Sequence, residues 1–396
     1  MATQDRSEQE KTELKHLAAY AQSSAESRGR YHDEEPNPRR TGFQRDRDRI
    51  VHSRAFRRLE FKTQLFLDPE GKRSRSRLTH VIETASLARG LCRTLRLNDD
   101  LAEAIALAHS VGAPSLGHPG EDALARQMRE HGEFRPSTQS ARVLSELEVR
   151  YPEFNGINLS WEVLEGLAPA GQAPTPPTGA APTDGFAQPG LEAQAATIAD
   201  EIAFACNDLE DGLEAGLLQD GELHKLTPWV EVEQRVLQIY SRLAPERRRP
   251  YVLRCLIDHL LDDAITASAE RIREADPHHP DDVRRQDAPL VGFSERTATA
   301  VREMRTLLQH RLYYHHDLAD QNRRAARVME QLFQVLLGHD HLLPDFFAVR
   351  IKKEGVHRAA CDYLASLGDG AMWELHERLV GDEAIATTKL EQPALF

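Results

Sequence analysis

The stretch Leu78-Thr-His-Val-Ile-Glu-Thr-Ala-Ser-Leu-Ala-Arg-Gly-Leu-Cys92 decides the fold class. Leu78, Val81, Ile82, Ala85, Ala88, Leu91 and Cys92 recur at the i, i+3, i+4, i+7 spacing of one helix face, and no alternating pattern competes with them. Asn98-Asp-Asp100 then supplies capping side chains for a second helix, Leu101-Ala-Glu-Ala-Ile-Ala-Leu-Ala-His-Ser110. Gly112, Pro114, Gly117, Pro119 and Gly120 force a tight non-helical loop after it. Helical periodicity resumes at Leu191 and again from about Glu231, Glu295 and Arg323, while runs of alternating β-branched residues are nearly absent. The chain reads as all-α.

Between the second and third of these blocks, Ala168 to Gly190 holds six prolines and four glycines amid Ala and Thr. Such a composition has little to bury, and the segment is expected to be a mobile surface insertion that folding does not need. Residues 1 to 35 are polar and charge-rich and are expected to fray, as is a tail over 381–396. The body between them, 36–380, is expected to be one domain interrupted by the insertion at 168–190.

Composition narrows the function classes. With 396 residues, 40% of them hydrophobic, the chain can bury a sizeable core. Asp and Glu exceed Lys and Arg by 63 to 50, a formal charge of −13, which argues against bulk coating of nucleic acid. The charge is uneven, however: Pro36 to His80 carries 13 Lys/Arg against 5 Asp/Glu. That basic density suits phosphate groups, of a nucleotide or of a strand, although a solvated face laced with salt bridges would look the same. Cys92, Cys206, Cys255 and Cys361 are far apart and form no CxxC pair, as in a reducing compartment. The N-terminus has no apolar leader and no run reaches the ~18 apolar residues of a membrane span. A cytoplasmic protein without membrane contact is the expectation.

The chemistry-bearing set is His80, His109, Asp200 and the loop from Gly112 to Glu121. Two histidines and an Asp on three separate helices make a divalent-metal set, since imidazole and carboxylate suit Mn, Fe, Zn or Mg. A histidine on an apolar helix face is more often a satisfied core residue than a ligand, and the chain has 18 of them. The surrounding motifs raise the odds.

Those motifs are Arg45-Asp-Arg-Asp-Arg-Ile-Val-His-Ser-Arg-Ala-Phe-Arg-Arg-Leu59, Lys62-Thr-Gln64, Arg75-Ser-Arg-Leu-Thr-His80, Gly117-His-Pro-Gly-Glu121 and Ala199-Asp-Glu-Ile-Ala-Phe204. Asn207-Asp-Leu-Glu-Asp-Gly212 and Arg358 with Asp362-Tyr363 continue the series. In this order they resemble the dGTPase-like deoxynucleoside triphosphate triphosphohydrolases of the HD-domain superfamily, from about Arg45 to about Tyr363. The resemblance implies an HD-type helical bundle with accessory helices and hydrolysis of a dNTP to deoxynucleoside and triphosphate, often in a homo-oligomer. It implies a divalent metal (Mn, Mg or Fe) on His80, His109 and Asp200. It also implies catalytic roles for His118 and Glu121 and a phosphate contact from Arg77. Gln64, Phe204 and Asp208 match positions around the deoxyribose, and a carboxylate at a sugar hydroxyl makes chemical sense because it accepts from that OH.

The departures cluster at the chemistry. Where the family reads His-Asp-x-Gly-His, this chain reads His109-Ser-Val-Gly-Ala113, so a metal-binding Asp and a histidine are both replaced. Where the family reads Phe-Glu-His-Asn, Phe134-Arg-Pro-Ser137 removes a second histidine. Glu165-Gly-Leu167 leads into Ala-Pro-Ala in place of Lys-His, and a Gly-Met-Thr-Asp-Arg stretch appears as Ser366-Leu-Gly-Asp-Gly370. Ser110 offers a neutral hydroxyl where an anionic oxygen would stand, so weak metal occupancy is expected. Electrostatic donors of this kind are each worth roughly 10²–10³ in rate. Three readings follow: a slowed dNTP hydrolase, a nucleotide-binding or regulatory protein without turnover, and a single-stranded nucleic-acid binder. The third lacks an aromatic stacking ladder in the sequence.

Overall fold

A computed structural model describes residues 4–65, 75–313 and 315–381. Part of the basic Pro36–His80 stretch, and the tail beyond 381, lie outside the described residues. Among the described residues the structure is helices joined by loops and three isolated β-bridges, the all-α fold read from the periodicity. The helices that position the site are α1 (Arg6–His16), α2 (Gly42–His52), α3 (Arg77–Thr94), α4 (Asp99–Ala108), α5 (Gly117–Met128), α6 (Leu191–Glu214), α7 (Val356–Ser366) and α8 (Asp369–Val380).

Helix α3 buries the stripe that identified it, with Val81, Ala88, Leu91 and Cys92 fully enclosed. Ile82 is the exception at 53% exposure, because it sits on the flank of a stripe whose centre runs through Val81, Ala85 and Ala88. Asn98 caps α4 as expected, its Oδ1 accepting from the Leu101 amide.

The chain divides into two compact units, each woven from three sequence segments. The first contains Met1–Asp48, His80–Leu107 and Leu159–His315. The segment before residue 36, expected to fray, is tied into this unit. Asp5 and Glu8 close a capping box on α1, and Gln22, Ser23 and Ser24 are buried. The fully buried Glu192 explains the tie: it accepts from the backbone amides of Gln22 and Asn98, pinning the N-terminal strand of chain to the cap of α4.

The Pro-rich insertion is also held, contrary to expectation. Trp161 Nε1 donates to the Pro174 carbonyl at 2.9 Å, and Tyr31 Oη donates to that of Thr175 at 2.5 Å. The amides of Ala187 and Gln188 both donate to the Arg284 carbonyl. Phe186 is buried, its ring approached by the guanidinium groups of Arg28, Arg284 and Arg285 at 5.2, 5.8 and 5.6 Å. Prolines carry no backbone N–H to satisfy and already have fixed φ, so the segment loses little entropy on docking.

The second unit contains Arg49–Thr79, Ala108–Asn158 and His316–Phe396. Its core gathers Leu124 and Met128 of α5, Phe333 and Phe347, and Tyr363 and Met372 of α7 and α8. Buried polar groups stitch it further: Arg142 pairs with the fully buried Asp362 at 2.7 Å, and Gln139 donates to the same carboxylate at 2.9 Å. Among the described residues no helix is long and apolar enough to cross a membrane.

Candidate active site

Helix α6 places Asp200, Phe204 and Asp208 at i, i+4 and i+8 on one face. Asp200 Oδ1 stands 2.8 Å from His80 Nε2, and Phe204 meets the same imidazole edge-on at 6.3 Å between ring centroids. Behind His80, Asn207 donates to Glu83 at 2.6 Å. Asp208 is buried and accepts a short hydrogen bond from the Tyr313 hydroxyl. Burial and the Asp208 charge push the Tyr313 phenol up, so it stays a donor. Tyr313 closes a π-helical turn, Gln309–Tyr313, and its ring lies 6.4 Å from Phe204. Sequence reading missed it; its only signal was a tyrosine pair at the end of a helical block.

His109 follows α4 directly. Ser140 Oγ donates to the His109 carbonyl at 2.7 Å and accepts from the Gly112 amide at 2.8 Å, fixing the start of the loop. Only glycine fits at 112, since a Cβ there would meet the Ser140 nitrogen at 2.2 Å. Ser110 Oγ lies 3.0 Å from His109 Nε2.

The imidazole nitrogens of His80 and His109 and a carboxylate oxygen of Asp200 all lie within 4.8 Å of one another. Ligands at ~2.1 Å from a common ion stand at most about 4.2 Å apart, so small adjustments would let all three share one cation. Two neutral nitrogens and one anionic oxygen suit a divalent first-row metal. The donor set fits the cofactor that the sequence implied.

The remaining expected residues belong to the second unit. Leu116 adopts φ +66° and Gly117 φ +59°, which turns the chain into α5. Gly120 backs this turn so closely that a Cβ would meet the Ser115 carbonyl at 2.1 Å. His118 and Glu121 then sit one turn apart, Nδ1 to Oε2 3.9 Å. Burial and the nearby Arg77 charge push His118 down to about 4, so it is neutral at pH 7. Its side chain keeps 39% of its surface exposed, although the Nε2 atom itself is buried. Burial raises Glu121 against the opposing pull of Arg77. Gln64 and Arg77 are both buried, and an antiparallel bridge between Thr63 and Ser76 brings their strands of chain together. Gln64 N donates to Arg75 O and Arg77 N to Lys62 O, each at 2.9 Å.

Ala113 is fully buried, and its carbonyl accepts from the buried Lys62 ammonium at 2.6 Å. Pro136 is the first residue of a helix, Pro136–Arg142, where its missing N–H costs nothing. Arg358 donates to the carbonyls of Gly132 and Glu133, so this motif residue braces the turn before that helix.

An all-helical fold that gathers donor atoms of His80, His109 and Asp200 within 4.8 Å is the arrangement expected of an HD-type phosphohydrolase. Family comparison agrees: residues 77–205 match the HD domain, and residues 291–378 match the phosphohydrolase-associated domain. Three relatives, each called deoxyguanosinetriphosphate triphosphohydrolase-like protein, resemble nearly the whole chain. That of Geobacter sulfurreducens is 41% identical over 366 residues, 92% of this chain and 94% of the relative. That of Bordetella pertussis is 42% identical over 373 residues, 92% and 97%, and that of Brucella canis is 40% identical over 385 residues, 91% and 95%. The chain therefore belongs to the deoxyguanosinetriphosphate triphosphohydrolase-like family of HD-domain proteins.

Proposed function

We propose that the protein hydrolyses deoxynucleoside triphosphates to deoxynucleoside and intact triphosphate, slowly, with a divalent metal. The observation that carries this reading is the His80, His109 and Asp200 set, whose donor atoms gather within 4.8 Å. A cation on these three would supply positive charge to the phosphate under attack. Arg77 binds the phosphates, Asp208 accepts from the sugar hydroxyl, and Gln64 and Phe204 border the deoxyribose. Water attacks the α-phosphorus, the bond from phosphorus to the 5′ oxygen breaks, and that oxygen leaves with a proton. His118, held neutral at pH 7, takes the proton from the water. Glu121, 3.9 Å behind its Nδ1, stabilises the imidazolium formed.

A second reading, nucleotide binding without turnover, is favoured by Ser110, Ala113 and Pro136, which remove a charge and two imidazoles from the family pattern. One experiment separates the two: chromatographic detection of triphosphate release from each dNTP with Mn²⁺, alongside equilibrium dialysis of the same nucleotides. Release supports hydrolysis; binding without release supports the second reading. A single-stranded nucleic-acid partner ranks third and would appear as strand binding that weakens steeply with salt. We place the protein in the cytoplasm, where its four free cysteines would stay reduced. We also infer a homo-oligomer from the family resemblance, and sedimentation velocity would read it directly.

A further inference from the structure

The turn joining α7 to α8, Ser366-Leu-Gly-Asp369, makes backbone and side-chain contacts to two separate stretches that carry site residues. Lys62 Nζ donates to Ala365 O at 2.8 Å as well as to Ala113 O. Arg58 donates to Ser366 O, and Ser115 Oγ donates to Leu367 O. At 368 only glycine fits, because a Cβ would stand 2.9 Å from that of Phe61. The last residue of the turn supplies the most specific contact. Asp369 Oδ2 accepts from the Thr63 amide at 2.9 Å, and Asp369 Oδ1 accepts from the Leu116 amide at 2.8 Å.

Thr63 precedes Gln64, and Leu116 is the left-handed residue that turns the chain into Gly117-His118. One carboxylate thus holds the backbone beside the sugar-facing glutamine and the backbone that aims the histidine. We propose that Asp369 is a positioning residue which sets His118 and Gln64 in register with each other for nucleotide binding and proton transfer. The inference rests on the roles given above to these two residues. It needs an acceptor at both oxygens: each faces an N–H, and a carboxylate is the one side-chain group of this size that accepts at both ends. Asparagine has the same shape but presents an NH₂ to one of the two amides, leaving donor against donor.

The test compares Asp369→Asn with Met372→Ala, a core truncation in the same helix that leaves both amide contacts intact. Both folded variants are titrated by NMR with ¹⁵N-labelled histidine, the His118 signals being identified by their loss in His118→Gln. Equilibrium binding of dGTP is measured on the same samples. In Asp369→Asn the His118 midpoint is expected to climb by about 1 toward the ordinary histidine value, and dGTP affinity to fall by about tenfold. Met372→Ala should lower the melting temperature while leaving both readings at the wild-type value. An unchanged His118 midpoint and unchanged dGTP affinity in Asp369→Asn overturn the proposal, as does an equal displacement of both in Met372→Ala. These readings stand whether or not the wild type releases triphosphate, so failure of the hydrolytic reading and failure of the Asp369 role are told apart. Where turnover is present, the loss in Asp369→Asn should divide between KM and kcat, since Gln64 and His118 serve different steps.

Discussion

Ser110 places a neutral hydroxyl 3.0 Å from His109 Nε2, where the family resemblance in the sequence leads one to expect a carboxylate. Ser110→Asp is expected to raise retention of Mn²⁺ through dialysis, read by elemental analysis, and to recover little hydrolysis. A stoichiometric transition metal in the wild type after the same dialysis would refute the weakness assigned to Ser110. Restoring the other two histidines is harder than the sequence suggests. Ala113 is fully buried, so Ala113→His should lower stability by about 1–3 kcal/mol through overpacking, visible in the urea midpoint. The triple variant Ser110→Asp, Ala113→His, Pro136→His must therefore be judged on its folded fraction. His118 gives a pH prediction. Its folded value, about 4, lies below the ordinary 6.5, so the unfolded chain binds the proton first. Stability from keeping this ring neutral is complete above about pH 6.5 and is lost as pH falls toward 4. The urea midpoint of wild type should thus fall relative to His118→Gln between pH 7 and pH 4. A constant gap would contradict the depressed value.

At the scale of elements, the insertion 168–190 reverses an expectation drawn from composition. Its anchors are Phe186 among three arginines, the Pro174 and Thr175 carbonyls, and two amides on Arg284 O. Phe186→Ala should cost about 3 kcal/mol, as for other buried aromatic truncations, and deletion of 168–190 should lower the melting temperature by several degrees or more. An unchanged melting temperature on deletion would return the segment to a dispensable loop. Lack of apolar periodicity hid this docking, because a single phenylalanine and a set of backbone carbonyls leave no repeating signal. Helices α3, α4 and α6 were legible for the opposite reason: each carries a long stripe, a cap residue, or both.

For the whole molecule, metal binding and stability are linked. A ligand that binds only the folded chain stabilises it by about 2.7 kcal/mol at one hundred times its Kd. Thermal melts against Mn²⁺ concentration should therefore rise for wild type only at high Mn²⁺, and at lower Mn²⁺ for Ser110→Asp. Coincident curves would show that Ser110 is not the limiting ligand. Chelator should lower the melting temperature of a metal-loaded sample, and its absence of effect on a sample free of metal is the control.

The sequence alone determined the all-α class, because helix stripes and caps are local and survive without knowledge of partners. It also determined the family and singled out His80, His109, Asp200, His118 and Glu121 as candidates, because their motifs keep type and order along the chain. Tertiary structure decided what those residues meet. That Tyr313 reaches Asp208 across 105 residues, or that Asp369 joins Thr63 to Leu116, depends on distant segments folding onto one another. So does the burial of Ala113, since enclosure is made by packed neighbours and not by the residue itself. Local propensity carries no record of such contacts; they exist only once the chain has folded.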